Sequence, residues 1–368
     1  LPPGARVSRP PSAAALPLTG VSQHLGQRPA AGSKVPLGLC NHALRGRKLK
    51  AKQLIDYAIV HRLDSVQFNT LSAFESLEED HLAALRQLAK SNGLTIYVGA
   101  GSICESSPRF SDRYGDAQSL LNEGIRVARA VDSPIVGVRI GNIDDRFHNG
   151  GIEPKVEEVI SVMKSMREPA LDAGITFSFE NHAGDLRSEE LVTLIGETGT
   201  DICSAFYDPG NAIWALEDPM TALEVLGKHI SCTSVRDVMV WPDEQGATFQ
   251  WTAIGEGLMD YRYFTDYLGK QCPGVPLHLE TISNSPRPIP YLTAEFWKGF
   301  PELKASGIVD FLNLVRRGTP LDPAVPPPGK DPGQFELESQ ERELLKSLEF
   351  LRSECGAGIR KSKNKLST

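Results

Sequence analysis

Short apolar runs alternate with longer amphipathic segments along the chain from Val35 to Gly318. The runs have the length of strands, and the segments between them repeat hydrophobic residues every three or four positions, as helices do. The predicted strands cover residues 36–40, 65–69, 94–100, 134–140, 175–180, 203–208, 230–237 and 276–281. A helix is predicted after each strand, with clear examples over 76–92, 116–131, 188–197 and 260–271.

Eight strand–helix units in succession predict one α/β domain. Strands that alternate with helices pair in parallel through right-handed crossovers, and eight such units form the closed (β/α)8 barrel, or TIM barrel. A doubly wound open sheet is the alternative, but the sequence LCNHALRG at the end of the first strand lacks the GxGxxG turn of dinucleotide-binding folds. We therefore predict a single barrel domain over residues 35–318.

Three segments lie outside the predicted barrel. Residues 1–34 contain RPPSAAALPLTG and are predicted to be a disordered tail, because they offer little apolar surface to bury. Residues 319–333 are predicted to be a proline-rich linker. Residues 334–368 are predicted to form an amphipathic helix with a basic tail, and the leucine stripe of this helix favours packing or dimerisation, which leaves a homodimer open.

Charge and cysteine content narrow the class of protein. The 46 acidic residues outnumber the 39 basic ones, which argues against a nucleic-acid-binding protein because such proteins neutralise phosphates with basic groups. The six cysteines include no CxxC pair and are expected to be free thiols in a reducing compartment, so we predict a cytoplasmic location. No apolar stretch reaches the length of a membrane span, and no membrane partner is predicted.

Acidic residues close three of the predicted strands. Glu180 ends the fifth strand, Asp208 ends the sixth, and Glu280 lies at the end of the eighth. The carboxyl ends of barrel strands meet at one mouth, where the chemistry of such barrels takes place. Converging carboxylates repel one another unless they are protonated or bridged by a cation, so a hard divalent metal ion is the simplest explanation for all three.

Five segments near these strand ends together resemble the xylose isomerase-like TIM barrels, namely FSFENHAGD, YDPGNA, HISCTSVRDV, TAIGEGLMDY and VPLHLETIS. The resemblance implies a divalent ion, with Mn²⁺ in first place and Mg²⁺, Co²⁺ or Zn²⁺ as alternatives. In this family a Glu, an Asp, a His and a second Glu on strands five to eight hold the ion. The corresponding residues here are Glu180, Asp208, Ser234 and Glu280.

Ser234 departs from the histidine of the family pattern. A hydroxyl is a poorer ligand than an imidazole, so the ion is expected to bind weakly, to recruit His182, to hold an extra water or to be lost altogether.

The positions of single residues at and near the strand ends suggest their roles. Glu180 and Glu280 are the predicted catalytic residues. The predicted substrate-binding residues are His182, Asn211, Arg236, Arg139, Glu256 and Arg287. Each of these has a structural alternative, such as a helix cap, a turn carboxylate or an ion pair. If two of the three arginines face the mouth, the substrate is anionic, because guanidinium groups pair with carboxylates and phosphates.

A metal ion between two glutamates suits the conversion of a hydroxyketone into an enediolate, because the ion polarises the carbonyl while a carboxylate moves the neighbouring proton. We therefore predict a metal-dependent isomerase or epimerase whose partner is a small carbohydrate substrate. A lyase or decarboxylase for a 3-oxo sugar or 3-oxo sugar acid is the alternative. A non-catalytic sugar-binding barrel is a further hypothesis, and a nuclease of the endonuclease IV type is disfavoured by the acidic charge and the few histidines at strand ends.

Overall fold

A computed structural model of the protein describes residues 34–148, 150–282 and 285–360. The predicted disordered tail, apart from Lys34, and the basic residues from Lys361 onwards lie outside the described residues.

The strands, numbered along the chain, form two sheets. They are β1 (Leu37–Cys40), β2 (Ser65–Phe68), β3 (Thr95–Ser102), β4 (Ile135–Arg139), β5 (Thr176–Glu180), β6 (Cys203–Tyr207), β7 (Ile230–Thr233), β8 (Asp237–Asp243), β9 (Gly246–Thr252), β10 (Leu277–Leu279) and β11 (Arg287–Ile289). The larger sheet is parallel, in the order β10-β1-β2-β3-β4-β5-β6-β7. Its two ends meet beyond β7, where the Val235 N–H donates to the His278 carbonyl at 2.7 Å, and the Glu280 N–H donates to the Val235 carbonyl at 3.0 Å. The predicted TIM barrel is confirmed.

Helices surround the barrel. They are α1 (Ala51–Val60), α2 (Glu79–Ser91), α3 (Ala117–Ala130), α4 (Glu153–Ser165), α5 (Arg167–Ala173), α6 (Ser188–Thr198), α7 (Pro209–Ala212), α8 (Pro219–Leu226), α9 (Tyr261–Gln271), α10 (Val309–Arg317) and α11 (Pro332–Ser353). Aspartate carboxylates accept hydrogen bonds from the first-turn N–H groups of α3, α8, α9 and α11, which satisfies donors that have no partner inside the helix. The apolar stripe of α1, formed by Ala51, Leu54, Ile55 and Ala58, is buried against the barrel core. Among the described residues, no helix has both the length and the apolar character that a membrane span requires.

The segment between β7 and α9 contains two strands that are absent from the predicted set. It contains β8 and β9, which pair in antiparallel register from Asp237 opposite Thr252 to Asp243 opposite Gly246. β11 then pairs with β9, so the residues after the eighth barrel strand join the same small sheet. Because this sheet begins where β7 ends, it forms a wall on the side of the barrel that carries the strand ends.

The helix α11 packs against the barrel. Its buried leucines are Leu344, Leu348 and Leu351. The Gln340 side chain accepts a hydrogen bond from the Gly46 N–H at 3.0 Å, beside β1. The chain then returns to the start of the barrel, where the Gly358 N–H donates to the Val35 carbonyl at 2.8 Å.

Candidate active site

Three buried carboxylates converge at the carboxyl ends of the strands. Glu180 is the last residue of β5, Asp208 follows β6 and Glu280 follows β10. One oxygen from each lies within 4.8 Å of the others, and none of the three residues is more than 4% exposed. Asn181 fixes the turn of the main chain here, since its side-chain amide donates to the Asp208 carbonyl and accepts from the Asp208 N–H.

Two arginines enter the same cluster. Arg236, which follows β7, binds Asp208 through Nη2 and through Nε, the latter at 3.3 Å, and its Nη2 lies 3.5 Å from Glu280 Oε1. Arg139 at the end of β4 places Nη1 3.8 Å from Glu180 Oε2. The mouth therefore contains three acidic side chains and two basic ones, so each carboxylate has a cation within reach.

The three carboxyl groups differ in proton affinity. Burial raises the pKa of Glu180 well above its usual range, and the carboxylates of Glu280 and Asp208 add to the effect against the opposing charge of Arg139. Burial also raises the pKa of Asp208, to about 6, although Arg236 opposes it. For Glu280, burial is outweighed by Arg236 and by nearby hydrogen bonds, which hold its pKa well below the usual range. Glu180 is therefore the group of the three that retains a proton most readily.

Four polar side chains surround the carboxylate of Glu280. The Ser234 hydroxyl donates to Oε2, and the Cys40 thiol lies 3.2 Å from the same oxygen. His42 Nδ1 lies 3.5 Å from Oε1, and the Asn69 amide is 3.5 Å from Oε2. Cys40, His42 and Asn69 were not among the predicted site residues, although each lies at or just beyond the end of one of the first two strands. Their position at these strand ends is the feature of the sequence from which they could have been predicted.

The donor set fits a divalent ion. Hard cations bind carboxylate oxygens at ~2.0–2.6 Å, so two ligands of one ion lie up to ~5 Å apart, and the three carboxylates meet this limit. The fourth position of the family pattern differs, because the Ser234 hydroxyl is engaged with Glu280. Asp208 is also engaged, by Arg236. An ion bound by Asp208 would therefore compete with the Arg236 guanidinium for that carboxylate.

His182 and Asn211 lie beside the cluster. Because the Gly141 carbonyl can only accept, the Nδ1 of His182 carries the proton of their hydrogen bond, which leaves Nε2 as an acceptor in the neutral ring. Burial, followed by the charge of Arg139, lowers the pKa of His182 to about 3. Asn211 places its side-chain amide 2.9 Å from Asp208 Oδ2 and 3.5 Å from Glu180 Oε1, so it bridges two of the carboxylates.

The structure places Glu256 outside the cluster. Its carboxylate is exposed and lies 2.6 Å from Lys346 Nζ on α11. The flanking glycines donate their N–H groups to Asp237, at 3.0 Å from Gly255 and 3.1 Å from Gly257. A Cβ atom at Gly257 would lie 2.2 Å from Asp237 Oδ1, so the GEG turn is shaped to enclose this buried carboxylate.

Arg287 lies on β11, beside the cluster and not in it. Its Cζ is 4.1 Å from the ring centroid of Trp251, and the Cζ of Arg236 is 4.2 Å from the same centroid. The two guanidinium carbons are therefore at most 8.3 Å apart, the sum of these distances. The indole is itself anchored, because its Nε1 donates to the Gly210 carbonyl at 2.9 Å.

His278 lies deeper in the barrel than Glu280. Its ring nitrogens are 3.0 Å from the Ser65 hydroxyl and 3.0 Å from the Thr233 carbonyl, and its ring meets Tyr97 edge-on at 4.7 Å. Burial lowers its pKa to about 3, so the ring is neutral. Both nitrogens have partners, and His278 therefore acts as a packing and hydrogen-bonding group below the site.

Solved structures share the architecture. D-psicose 3-epimerase of Clostridium cellulolyticum H10 is 13% identical with a TM-score of 0.53, and the match covers 85% of this chain and 98% of that one. The IOLI protein with a bound zinc atom is 12% identical with a TM-score of 0.54, over 77% of this chain and 99% of that one. At these identities the similarity establishes the fold alone.

Sequence comparison identifies the family. 3-Oxo-isoapionate decarboxylase of Pectobacterium atrosepticum is 22% identical over 192 residues, which cover 52% of this chain and 62% of the relative. The chain spans less than two thirds of the length of the curated relatives it matches. The family model described as xylose isomerase-like TIM barrel matches residues 59–298, which is more than half of the 368 residues. The chain belongs to the xylose isomerase-like TIM barrel family.

Proposed function

We propose that the protein is a metal-dependent carbohydrate isomerase or epimerase, which moves a proton on the carbon next to the carbonyl of a hydroxyketone. The convergence of Glu180, Asp208 and Glu280 at the barrel mouth carries this proposal, because it places a carboxylate ligand set for a divalent ion where the chemistry of such barrels takes place. The ion held by these carboxylates supplies polarisation of the carbonyl and the adjacent hydroxyl when it is bound.

Glu180 is the proton-moving residue in this proposal. In the metal-free protein burial raises the pKa of Glu180, whereas Arg236 and hydrogen bonds hold the pKa of Glu280 low, so Glu180 is the better proton acceptor of the two. Its nearest polar contacts are long, at 3.5 Å from Asn211 and 3.8 Å from Arg139, so its oxygens can reach a substrate. Glu280 is held ionised by Ser234 and Arg236 and is better suited to anchoring than to proton transfer.

The neighbouring polar groups suit a hydroxylated substrate. The free Nε2 of neutral His182 can accept a hydrogen bond from a substrate hydroxyl. Asn211 keeps Glu180 and Asp208 at a fixed separation through its amide. Together they hold the substrate carbon against Glu180, which is the positioning that proton transfer needs.

A decarboxylase for a 3-oxo sugar acid is the second candidate. It is favoured by the three arginines near the mouth and by the similarity to 3-oxo-isoapionate decarboxylase. In that reaction the carbon–carboxylate bond breaks, its electron pair forms the enediolate, and Glu180 donates the proton that the carbon takes up.

Turnover with Mn²⁺ on a panel of keto-sugars and oxo sugar acids, in deuterated water, tests the proposal. Deuterium incorporation beside the carbonyl without release of carbon dioxide supports the isomerase or epimerase, and release of carbon dioxide supports the decarboxylase. Glu180→Gln should lose about 10²–10⁴ in turnover. Glu217→Gln is the matched control, because Glu217 is equally buried but is bound to Ser188 away from the cluster. Full activity of Glu180→Gln after removal of all metal would refute the proposal.

A further inference from the structure

A second group of basic residues lies next to the carboxylate cluster. Arg287 on β11 stacks on Trp251, and Arg45 lies in the 3₁₀ segment Asn41–Arg47 that follows β1. The two elements are far apart in sequence, but barrel closure brings them to the same mouth. Arg45 is exposed in that segment.

Neither of these arginines has an acidic partner among the described residues. In the described part of the chain, no carboxylate oxygen lies within 4.0 Å of a guanidinium nitrogen of Arg287 or Arg45. Arg287 donates instead to the Ser285 carbonyl at 2.7 Å. Arg139 and Arg236, at the ends of their barrel strands, have carboxylates as partners, whereas Arg287 and Arg45 have none among the described residues.

Burial and neighbouring positive charges both disfavour the charged form of Arg287. Burial, followed by the charges of Arg236 and Arg45, lowers the pKa of Arg287 to about 10. A partly buried cation without a counter-ion is unfavourable, whereas the same cation becomes a strong binding group once an anion arrives. Within the cluster, the positive charges of Arg236 and Arg139 are neutralised by the carboxylates of Asp208, Glu280 and Glu180. Among the described residues, no carboxylate neutralises Arg287 or Arg45 in this way.

Trp251 fixes the direction of the Arg287 guanidinium. The indole is held by its bond to Gly210 and by edge-on contact with Phe249 at 5.6 Å, so it forms a rigid platform. The N–H groups of a guanidinium lie in the plane of the guanidinium itself. When the group stacks on an aromatic ring, these N–H groups stay free to donate hydrogen bonds at its edge. The distance of at most 8.3 Å to Arg236 is one that a short sugar chain can span.

We propose that Arg287 and Arg45, with Trp251 as platform, form a subsite for an oxyanion on the far end of the substrate, either the carboxylate of a sugar acid or the phosphate of a sugar phosphate. This proposal rests on the proposed function for the identity of the substrate as a carbohydrate. It adds that the substrate is charged and that its charge is bound away from the carbon at which the proton moves.

Calorimetric binding of ribonate, ribose 5-phosphate and the neutral polyol ribitol to the full chain with Mn²⁺ tests the subsite. We expect ribonate or ribose 5-phosphate to bind at least about tenfold more tightly than ribitol. Arg287→Met should weaken binding of the anion by about 10–100-fold, as expected for a lost charge-assisted hydrogen bond, and leave ribitol binding unchanged. Arg45→Met should show a smaller loss of the same kind, because Arg45 is exposed. The anion that binds more tightly identifies the carboxylate or the phosphate as the natural group.

Arg129→Met is the matched control, because Arg129 is an exposed arginine in the last turn of α3, and the helices end at the face of the barrel opposite the carboxyl ends of the strands. It should leave all three affinities unchanged. Equal binding of anion and polyol by the unmodified protein, equal losses for both in Arg287→Met, or no anion binding below about 10 mM would each overturn the subsite. These outcomes are separable from the proposed reaction, because they concern binding alone. Turnover without anion selectivity refutes the subsite, whereas selectivity without turnover refutes the reaction.

Discussion

Arg236 and a divalent ion should compete for Asp208, and Arg236→Met should therefore tighten the binding of Mn²⁺. The guanidinium binds Asp208 through two nitrogens and lies 3.5 Å from Glu280. An ion held by the same two carboxylates would have to displace it or remain beside it. Methionine preserves much of the volume and the contact with Trp251 but removes the positive charge.

The size of the effect follows from the geometry. An ion bonded to Asp208 and Glu280 would lie about 5 Å from the guanidinium, given ligand bonds of ~2.0–2.6 Å. At an effective dielectric constant of about 20, a doubly charged ion and a guanidinium at that distance repel by about 7 kcal/mol. The side chain can swing aside and relieve part of this repulsion. If half of the repulsion remains in the unmodified protein, its removal in Arg236→Met makes the free energy of Mn²⁺ binding more favourable by about 3 kcal/mol. This corresponds to a dissociation constant about 10²-fold lower.

The assay is a titration of metal-free protein with Mn²⁺, followed by calorimetry or by the loss of the free-ion resonance. Arg146→Met is the control, because Arg146 is also buried, paired with a carboxylate and stacked on an aromatic ring, here Phe300 at 4.4 Å. Without metal, Arg236→Met should be less stable than the unmodified protein by about 3–5 kcal/mol, since it leaves buried carboxylates uncompensated. Added Mn²⁺ should restore that stability.

An unchanged or weaker Mn²⁺ affinity in Arg236→Met would refute this reasoning. It would mean that the ion, if bound, does not use Asp208, or that Arg236 helps to hold it.

Three further predictions concern neighbouring residues. Ser234→His should bind Mn²⁺ or Co²⁺ about tenfold more tightly, because imidazole is a better ligand than a hydroxyl; unchanged affinity in calorimetry, with the ion still bound, would mean that another group already fills that position. In urea unfolding, the free energy of unfolding of His278→Gln should fall less between pH 6.5 and pH 4 than that of the unmodified protein. The pKa of His278 is lowered to about 3 in the fold, so the unfolded chain alone takes up the proton and stability falls by about 1.4 kcal/mol per pH unit as the pH decreases; an identical pH profile would contradict this. Gly210→Ala should cost about 1–3 kcal/mol of unfolding free energy, because the added Cβ would lie 2.6 Å from Arg236 Cγ. Gly196→Ala, which meets nothing within 4 Å, is its control, and equal stability of the two variants would contradict the clash.

The barrel could be predicted because each of its strands is a short apolar run between amphipathic helices, and that alternation is a local property of the sequence. The hairpin β8–β9 could not be predicted in the same way. Its first strand begins at Asp237, directly after Arg236, and two adjacent charged residues mark a loop in most sequences. The pairing of these strands depends on the register between Asp237 and Thr252, which is set in three dimensions.

The candidate site, too, could be predicted from the sequence only in part. The carboxylates of Glu180, Asp208 and Glu280 could be placed together because strand ends in a barrel share one mouth. The attachment of Arg236 to Asp208 could not be foreseen, since it depends on the side-chain torsions of a buried arginine. Glu256 was expected near the substrate, and its partner Lys346 is 90 residues away on a helix whose position the sequence pattern did not specify.

The closing hydrogen bond between Gly358 and Val35 bears on how the protein is made. On the ribosome, the first strand leaves the exit tunnel long before the residues that complete its surroundings. These 323 residues of separation correspond to about 15–65 s of synthesis at ~5–20 residues per second. β1 lacks β10 for the first 240 residues of this separation, from Leu37 to Leu277, and lacks the segment after α11 throughout, so its apolar residues Leu37 and Leu39 are available to chaperones. The nascent chain is therefore expected to depend on chaperone binding until α11 and Gly358 emerge.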